Sequence, residues 1–251
     1  MSAPWDERQR AMLAEMGLRL PPAPRAPLIE AEAPPLPSPS VVSAPPPLMG
    51  VPARAPSSPS GFEGLSLPAL REAVSACRGC GLCEQRRQAV FGAGALQQAQ
   101  WLVVTDPVDE ADDGAGEALS GDAGRLLDRM LAAAGQSRTG SAPTAFVTPI
   151  VKCRPPRGRA PQPAELEACE AVLAAQVALL QPRLVLALGL QAARRLTGLA
   201  EPLGRLRGRL HRWRELPLVV TYHPAYLLRS PADKAGAWDD LCLARRALHS
   251  A

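Results

Sequence analysis

CRGCGLC places Cys77, Cys80 and Cys83 three residues apart, and Cys153 and Cys169 follow far downstream. A single CxxC serves equally as a redox pair, half of a zinc site or half of an iron–sulfur site. Cys153 and Cys169 flank a basic, proline-locked loop, CRPPRGR, which makes a four-thiolate site with Cys77 and Cys80 the expected use. Four thiolates suit zinc or an iron–sulfur cluster, and spacing alone does not separate the two. Cys83 is a spare thiol, either packed or a substitute ligand, and Cys242 reads as a packed thiol in the last helix. The chain has no secretory leader pattern, so six cysteines are expected to be ligands or free thiols rather than disulfides.

Two further segments carry chemistry at the ends of apolar runs. WLVVT (101–105) leads into Asp106, and LPLVVTY (216–222) leads into His223 and Pro224. FVTPIVKC ends at Cys153 and carries Pro149, whose lack of a backbone donor suits a strand end or an edge.

These segments need a frame. Fourteen of the 28 prolines fall between Pro21 and Ser60, so that stretch reads as an extended, semi-rigid linker. Three parts are expected: an amphipathic peptide over residues 1–20, a Pro-rich linker over 21–60 and one domain over 61–251. The last is about 190 residues, long enough for a sizeable core. Within it, helical patterns at Leu67–Ala76, Gly124–Ala134, Pro163–Leu180, Leu190–Leu196 and Asp233–Leu248 alternate with strand patterns at 101–105, Ala145–Lys152, Leu184–Gly189 and Leu216–Pro224. Alternation of this kind predicts an α/β fold, three layers α/β/α around a central, mainly parallel four-stranded sheet. Working residues then lie at the carboxyl ends of the strands, where Asp106, Cys153 and His223 fall.

No run of some 18 apolar residues exists, which excludes a membrane span and favours the cytoplasm. A net charge of +4 permits nucleic-acid binding without demanding it. Lysine occurs only at Lys152 and Lys234, so the basic surface is arginine. Arg154, Arg157 and Arg159, with the stretch from Arg205 to Arg214, are candidate phosphate contacts.

From about Leu67 to Leu248 the chain resembles the family-4 uracil-DNA glycosylases, which carry a [4Fe-4S] cluster. The resemblance rests on CRGCGLCEQRRQAVFGAG, SGDAGRLLDRML, VKCRPPRGRAP, the helix around Cys169, LVLALGLQAARRL and LPLVVTYHPAYLLRSPADKAGAWDDL. It implies Cys77, Cys80, Cys153 and Cys169 as ligands of a cluster that fixes loops meeting DNA. It implies excision of uracil from single- or double-stranded DNA by a bacterial, cytoplasmic monomer. His223 matches the histidine beside the uracil carbonyl, Asp106 stands in place of the water-orienting Glu, and Pro224, Ala225 and Tyr226 form a loop that enters the duplex.

The pocket departs from the family pattern. GEAPGxxED reads Thr105-Asp106-Pro107-Val108-Asp109 here, followed by Asp112-Asp113. Leu119 replaces the Phe that stacks on uracil, and it has no π face. Pro149 replaces the Asn whose amide reads the base edge, and proline has no side-chain amide. These departures set a second function beside excision: a catalytically impaired DNA-binding or replication-associated protein. RQRAMLAEMGLRL before a Pro-rich tether resembles the N-terminal peptide of the psi subunit of bacterial DNA polymerase III, which implies the clamp loader as a partner.

Overall fold

The computed structural model describes residues 61–249. The expected peptide and linker over residues 1–60 lie outside the described residues. Six strands form one sheet: β1 (Ala93–Gly94), β2 (Trp101–Thr105), β3 (Ala145–Pro149), β4 (Leu184–Leu188), β5 (Leu210–Trp213) and β6 (Leu216–Thr221). Their order is β1-β3-β2-β4-β6-β5. The helices are α1 (Leu67–Ser75), α2 (Glu110–Ala115), α3 (Gly121–Ala133), α4 (Pro163–Leu180), α5 (Leu190–Thr197), α6 (Leu203–Leu206), α7 (Pro224–Arg229) and α8 (Lys234–His249).

The four apolar runs form the parallel centre, β3-β2-β4-β6, as expected. The sheet is nevertheless not four-stranded. β1 pairs antiparallel with β3, and β5 pairs antiparallel with β6. Neither edge strand carries an apolar run. β1 is two residues long, and β5 alternates exposed and half-buried side chains, so neither leaves the signal of a buried strand.

Side chains on the central strands alternate between two cores, as the pleat requires. Leu102, Val104, Phe146, Val185 and Ala187 face α1, α4 and α5. Trp101, Val103, Val147, Leu184 and Leu186 face α3 and α8. The three-layer α/β/α arrangement follows. Among the described residues no helix is long and apolar enough to cross a membrane.

Pro149 is the last residue of β3, not an interior one. The Ile150 N–H donates to the Thr105 carbonyl at 2.9 Å, so the nitrogen of Pro149 faces away from β2. Pairing with β1 has already ended at Ala93↔Val147, so the missing donor breaks no ladder bond. The strand stops there, three residues earlier than the apolar pattern suggested, and residues 150–153 turn away.

Candidate functional site

Cys77, Cys80, Cys83, Cys153 and Cys169 line one cavity between the α1–α4 layer and the loop that follows β3, together with Arg86 and Lys152. Cys77 to Cys83 arrive on the turn after α1, Cys153 on the turn after β3, and Cys169 from the second turn of α4. Several hydrogen-bond donors point at the sulfurs. Arg86 donates from Nη1 to Cys153 Sγ at 3.0 Å and from Nη2 to the Ser75 carbonyl at 2.6 Å. The Gly79 N–H donates to Cys77 Sγ at 3.4 Å. Backbone N–H groups of Leu82 and Lys152 reach Cys80 and Cys169. As free thiols three of the cysteines are held neutral: burial pushes Cys169 up to about 12 and raises Cys80 and Cys153. Among the described residues no three His, Cys, Asp or Glu side chains gather around a single-ion site.

Lys152 is 2 % exposed. Its Nζ donates to Thr148 Oγ1 at 2.5 Å and to the Pro149 carbonyl at 2.8 Å. Burial brings its ammonium down to about 7. Thr148 donates in turn to the Phe91 carbonyl, which also takes Gln176 Nε2, each at 2.9 Å. One buried residue thus touches both the cysteine cavity and the end of β3.

At the carboxyl edge of the sheet, Asp106 and His223 lie on the segments that leave β2 and β6. His223 Nε2 sits 2.9 Å from Thr105 Oγ1. The Ala225 N–H donates to His223 Nδ1 at 3.3 Å, so Nδ1 is the bare nitrogen and the ring proton lies on Nε2, aimed at Thr105. Burial drives the imidazole down to about 4, against a smaller opposing pull from Asp109, so the ring is neutral at pH 7.

Asp106 caps α5. Its Oδ1 accepts from the Ala192 N–H at 2.9 Å, and Gln191 and Leu190 also donate to the carboxylate. Burial lifts its pKa to about 6, with those donors pulling the other way. Gly189, at φ +95°, makes the approach possible: a Cβ there would lie 2.1 Å from Asp106 Oδ2.

Leu119 is buried with Val108, Ala118 and Leu127 on the α3 side of the sheet, at φ 54°. Its turn is clamped twice. Asp112 accepts from the N–H groups of Leu119 and Ser120 at 2.8 and 2.7 Å. Arg138 donates to the carbonyls of Ala118 and Leu119 at 2.8 and 3.3 Å. Asp113, 1 % exposed, accepts from the Arg87 N–H at 2.9 Å and ties the cysteine segment to α2. The aspartates at 112 and 113 therefore hold loops together.

The candidate DNA-facing residues separate into free and committed groups. Pro224, Ala225 and Tyr226 form the first turn of α7 rather than a loop, with His223 as its N-cap. Tyr226 stacks on Tyr222 at 5.0 Å and donates to Asp233 at 2.6 Å. Arg159 grips Glu165 with both terminal nitrogens, at 2.8 and 2.5 Å, and Arg154 meets Glu110 at 3.0 Å. Arg207 is bound to buried Asp240, while Arg209, Arg212 and Arg214 pair with Glu201, Glu215 and Glu170. Arg157, exposed at the tip of its loop, has no ion-pair partner among the described residues.

Arg86, Thr105, Lys152, Gly189 and Glu165 are missing from the expectations drawn from sequence. Arg86 had a signal, since it lies three residues beyond Cys83. Thr105 had one too, standing where the family pattern has Gly. The others act through pairings that only the fold creates.

A parallel-centred three-layer sheet, with an imidazole and a carboxylate at its carboxyl edge and a thiol-lined cavity beside it, defines the class of protein. The model of the uracil DNA glycosylase superfamily matches residues 91–242, and the chain belongs to that superfamily. It is 36% identical over 187 residues to a Type-4 uracil-DNA glycosylase of Pyrobaculum aerophilum, covering 71% of this chain and 93% of that protein. It is 33% identical over 167 residues to one of Thermotoga maritima, covering 66% and 84%. A third, of Archaeoglobus fulgidus, is 31% identical over 174 residues, covering 66% and 85%.

Proposed function

We propose that this chain removes uracil from DNA by hydrolysing the N-glycosidic bond. The observation that carries the reading is the seat of His223 at the sheet's carboxyl edge, its Nδ1 accepting the Ala225 N–H and its Nε2 2.9 Å from Oγ1 of Thr105, the residue that precedes Asp106. The base leaves the stack first, because its glycosidic carbon is out of reach inside a duplex. The C1′–N bond then breaks with its electron pair going to the base. His223, neutral at pH 7, donates a hydrogen bond to the carbonyl oxygen that gains negative charge. Asp106, ionised above about pH 6, faces the positive charge that grows on the sugar and orients the water that adds to C1′. The departing base takes up the balancing proton.

The frame for this chemistry is a [4Fe-4S] cluster on Cys77, Cys80, Cys153 and Cys169. The fit rests on the shared cavity and on the N–H groups and the Arg86 guanidinium aimed at the sulfurs, which favour thiolates carrying a cluster's charge. The cluster, when bound, supplies a fixed joint between the loops after α1 and β3. Arg157, Pro224, Ala225 and Tyr226 face the DNA, and Arg154 and Arg159 shape the loop that carries Arg157. Leu119 and Pro149 stand at the pocket in place of base-reading groups. The protein works as a monomer in the bacterial cytoplasm on single- or double-stranded DNA. Partnership with a clamp loader rests on residues 1–20, outside the described residues.

One observation favours a second reading, DNA binding without excision. Pro149, a Cα partner of Thr105 in the sheet, has neither a side-chain amide nor a backbone donor for a base edge.

Single-turnover assays on uracil-containing single- and double-stranded DNA decide between the readings. Excision that His223→Ala abolishes supports the glycosylase. No excision by the parent, with recovery in a Pro149→Asn, Leu119→Phe variant, supports the binding protein. Iron and sulfide in anaerobically purified protein test the cluster, and zinc in their place would sink it.

A further inference from the structure

The donor that meets the base in the proposed reaction is already in use. His223 Nε2–H is given to Thr105 Oγ1 at 2.9 Å, and Nδ1 takes the Ala225 N–H, so no other ring proton is available. Thr105 is 2 % exposed, and its backbone is fixed between Pro149 of β3 and Leu188 of β4. The hydroxyl therefore cannot swing away with its main chain. It can leave His223 only by a change of rotamer.

We propose that Thr105 is a positioning residue that locks His223 in the unoccupied protein, its hydroxyl occupying the imidazole donor that a base carbonyl must capture. This rests on the reading of His223 as the carbonyl's donor. A neutral carbonyl that displaces the hydroxyl exchanges one neutral hydrogen bond for another and gains little. A carbonyl oxygen gaining negative charge makes a charge-assisted bond, roughly twice as strong. Every bound state must first release the hydroxyl, so the lock weakens capture of the donor by the same factor throughout, and the charge-assisted bond supplies the gain as the glycosidic bond breaks. The lock acts only on the unoccupied protein, because the bound states have already released it.

Thr105→Val keeps the shape and removes the acceptor, while Thr105→Ser keeps the acceptor. Both are made in the full chain with its metal centre loaded. Histidine side-chain ¹⁵N–¹H spectra are tractable, since the chain has three histidines. The expected result is threefold. The His223 Nε2–H resonance moves in Thr105→Val and stays in Thr105→Ser. Free uracil binds Thr105→Val about 2–12-fold more tightly, the value of one ordinary hydrogen bond. Excision efficiency, the maximal single-turnover rate over the half-saturating concentration, rises by the same factor. A merely supporting threonine would instead lower efficiency when truncated. An unmoved resonance overturns the lock, as does a moved resonance with uracil binding and excision unchanged or reduced. If the resonance moves but no variant excises or binds uracil, the glycosylase reading itself has failed and takes the lock with it.

Discussion

Asp106 at the end of β2 accepts the backbone N–H of Ala192 at 2.9 Å, so the carboxylate sits on the first turn of α5. Its burial and that of His223 bias folding in opposite directions with pH. Asp106 is raised from 3.8 to about 6, so its stabilising contribution is complete below pH 4 and is lost as pH rises through 6. His223 is lowered from 6.5 to about 4, so its contribution is present above 6.5 and is lost as pH falls through 4. Each is worth about 3 kcal/mol at most. Relative to the parent, Asp106→Asn should steepen the gain of stability between pH 4 and 6.5, and His223→Gln should reverse it. Urea unfolding across that range measures both, and parallel profiles in parent and variants would refute the assignment.

Gly189→Ala should disturb that same seat. The new methyl would fall 2.1 Å from Asp106 Oδ2 on a backbone at φ +95°. A loss of about 2–4 kcal/mol is expected from clash and backbone strain together. Excision should fall with it, through displacement of Asp106. A Gly189→Ala protein with unchanged unfolding midpoint and rate would show that the carboxylate is not held there.

Arg86→Met should weaken the metal centre without touching a cysteine. It removes the donor 3.0 Å from Cys153 Sγ and the tie to the Ser75 carbonyl. Neighbours of ligands typically contribute about 10–100-fold in metal affinity. Iron retained under a chelator is the readout, and equal retention in Arg86→Met and parent would remove Arg86 from the site.

Two arginines on one loop should differ in the salt dependence of DNA binding. Arg157 is exposed without an ion-pair partner among the described residues, whereas Arg159 is bound to Glu165 by both terminal nitrogens. Arg157→Ala should reduce the slope of log affinity against log salt by about 1. Arg159→Ala should leave the slope alone and loosen the start of α4, where Glu165 also accepts the Gln162 N–H at 2.7 Å. Equal slope changes in the two would contradict this division.

The sequence by itself determined the parallel centre of the sheet, because WLVVT, LVLAL and LPLVVT are apolar runs buried on both faces and nothing else buries such runs as well. It also pointed to Cys77, Cys80, Cys153 and Cys169 as a group, whereas the cavity takes in Cys83 as well, the thiol that spacing left spare. The edge strands stayed hidden, since the two residues of β1 and the half-exposed β5 carry no periodic signal. Only the tertiary structure decided how the polar groups are spent. Thr105 meets His223 across 118 positions, Asp106 meets Ala192 across 86, and Arg86 meets Cys153 across 67. A hydrogen bond depends on the approach and angle of two atoms within about 3 Å. Residue type states what each group is able to donate or accept, but its partner exists only once the strands are laid side by side.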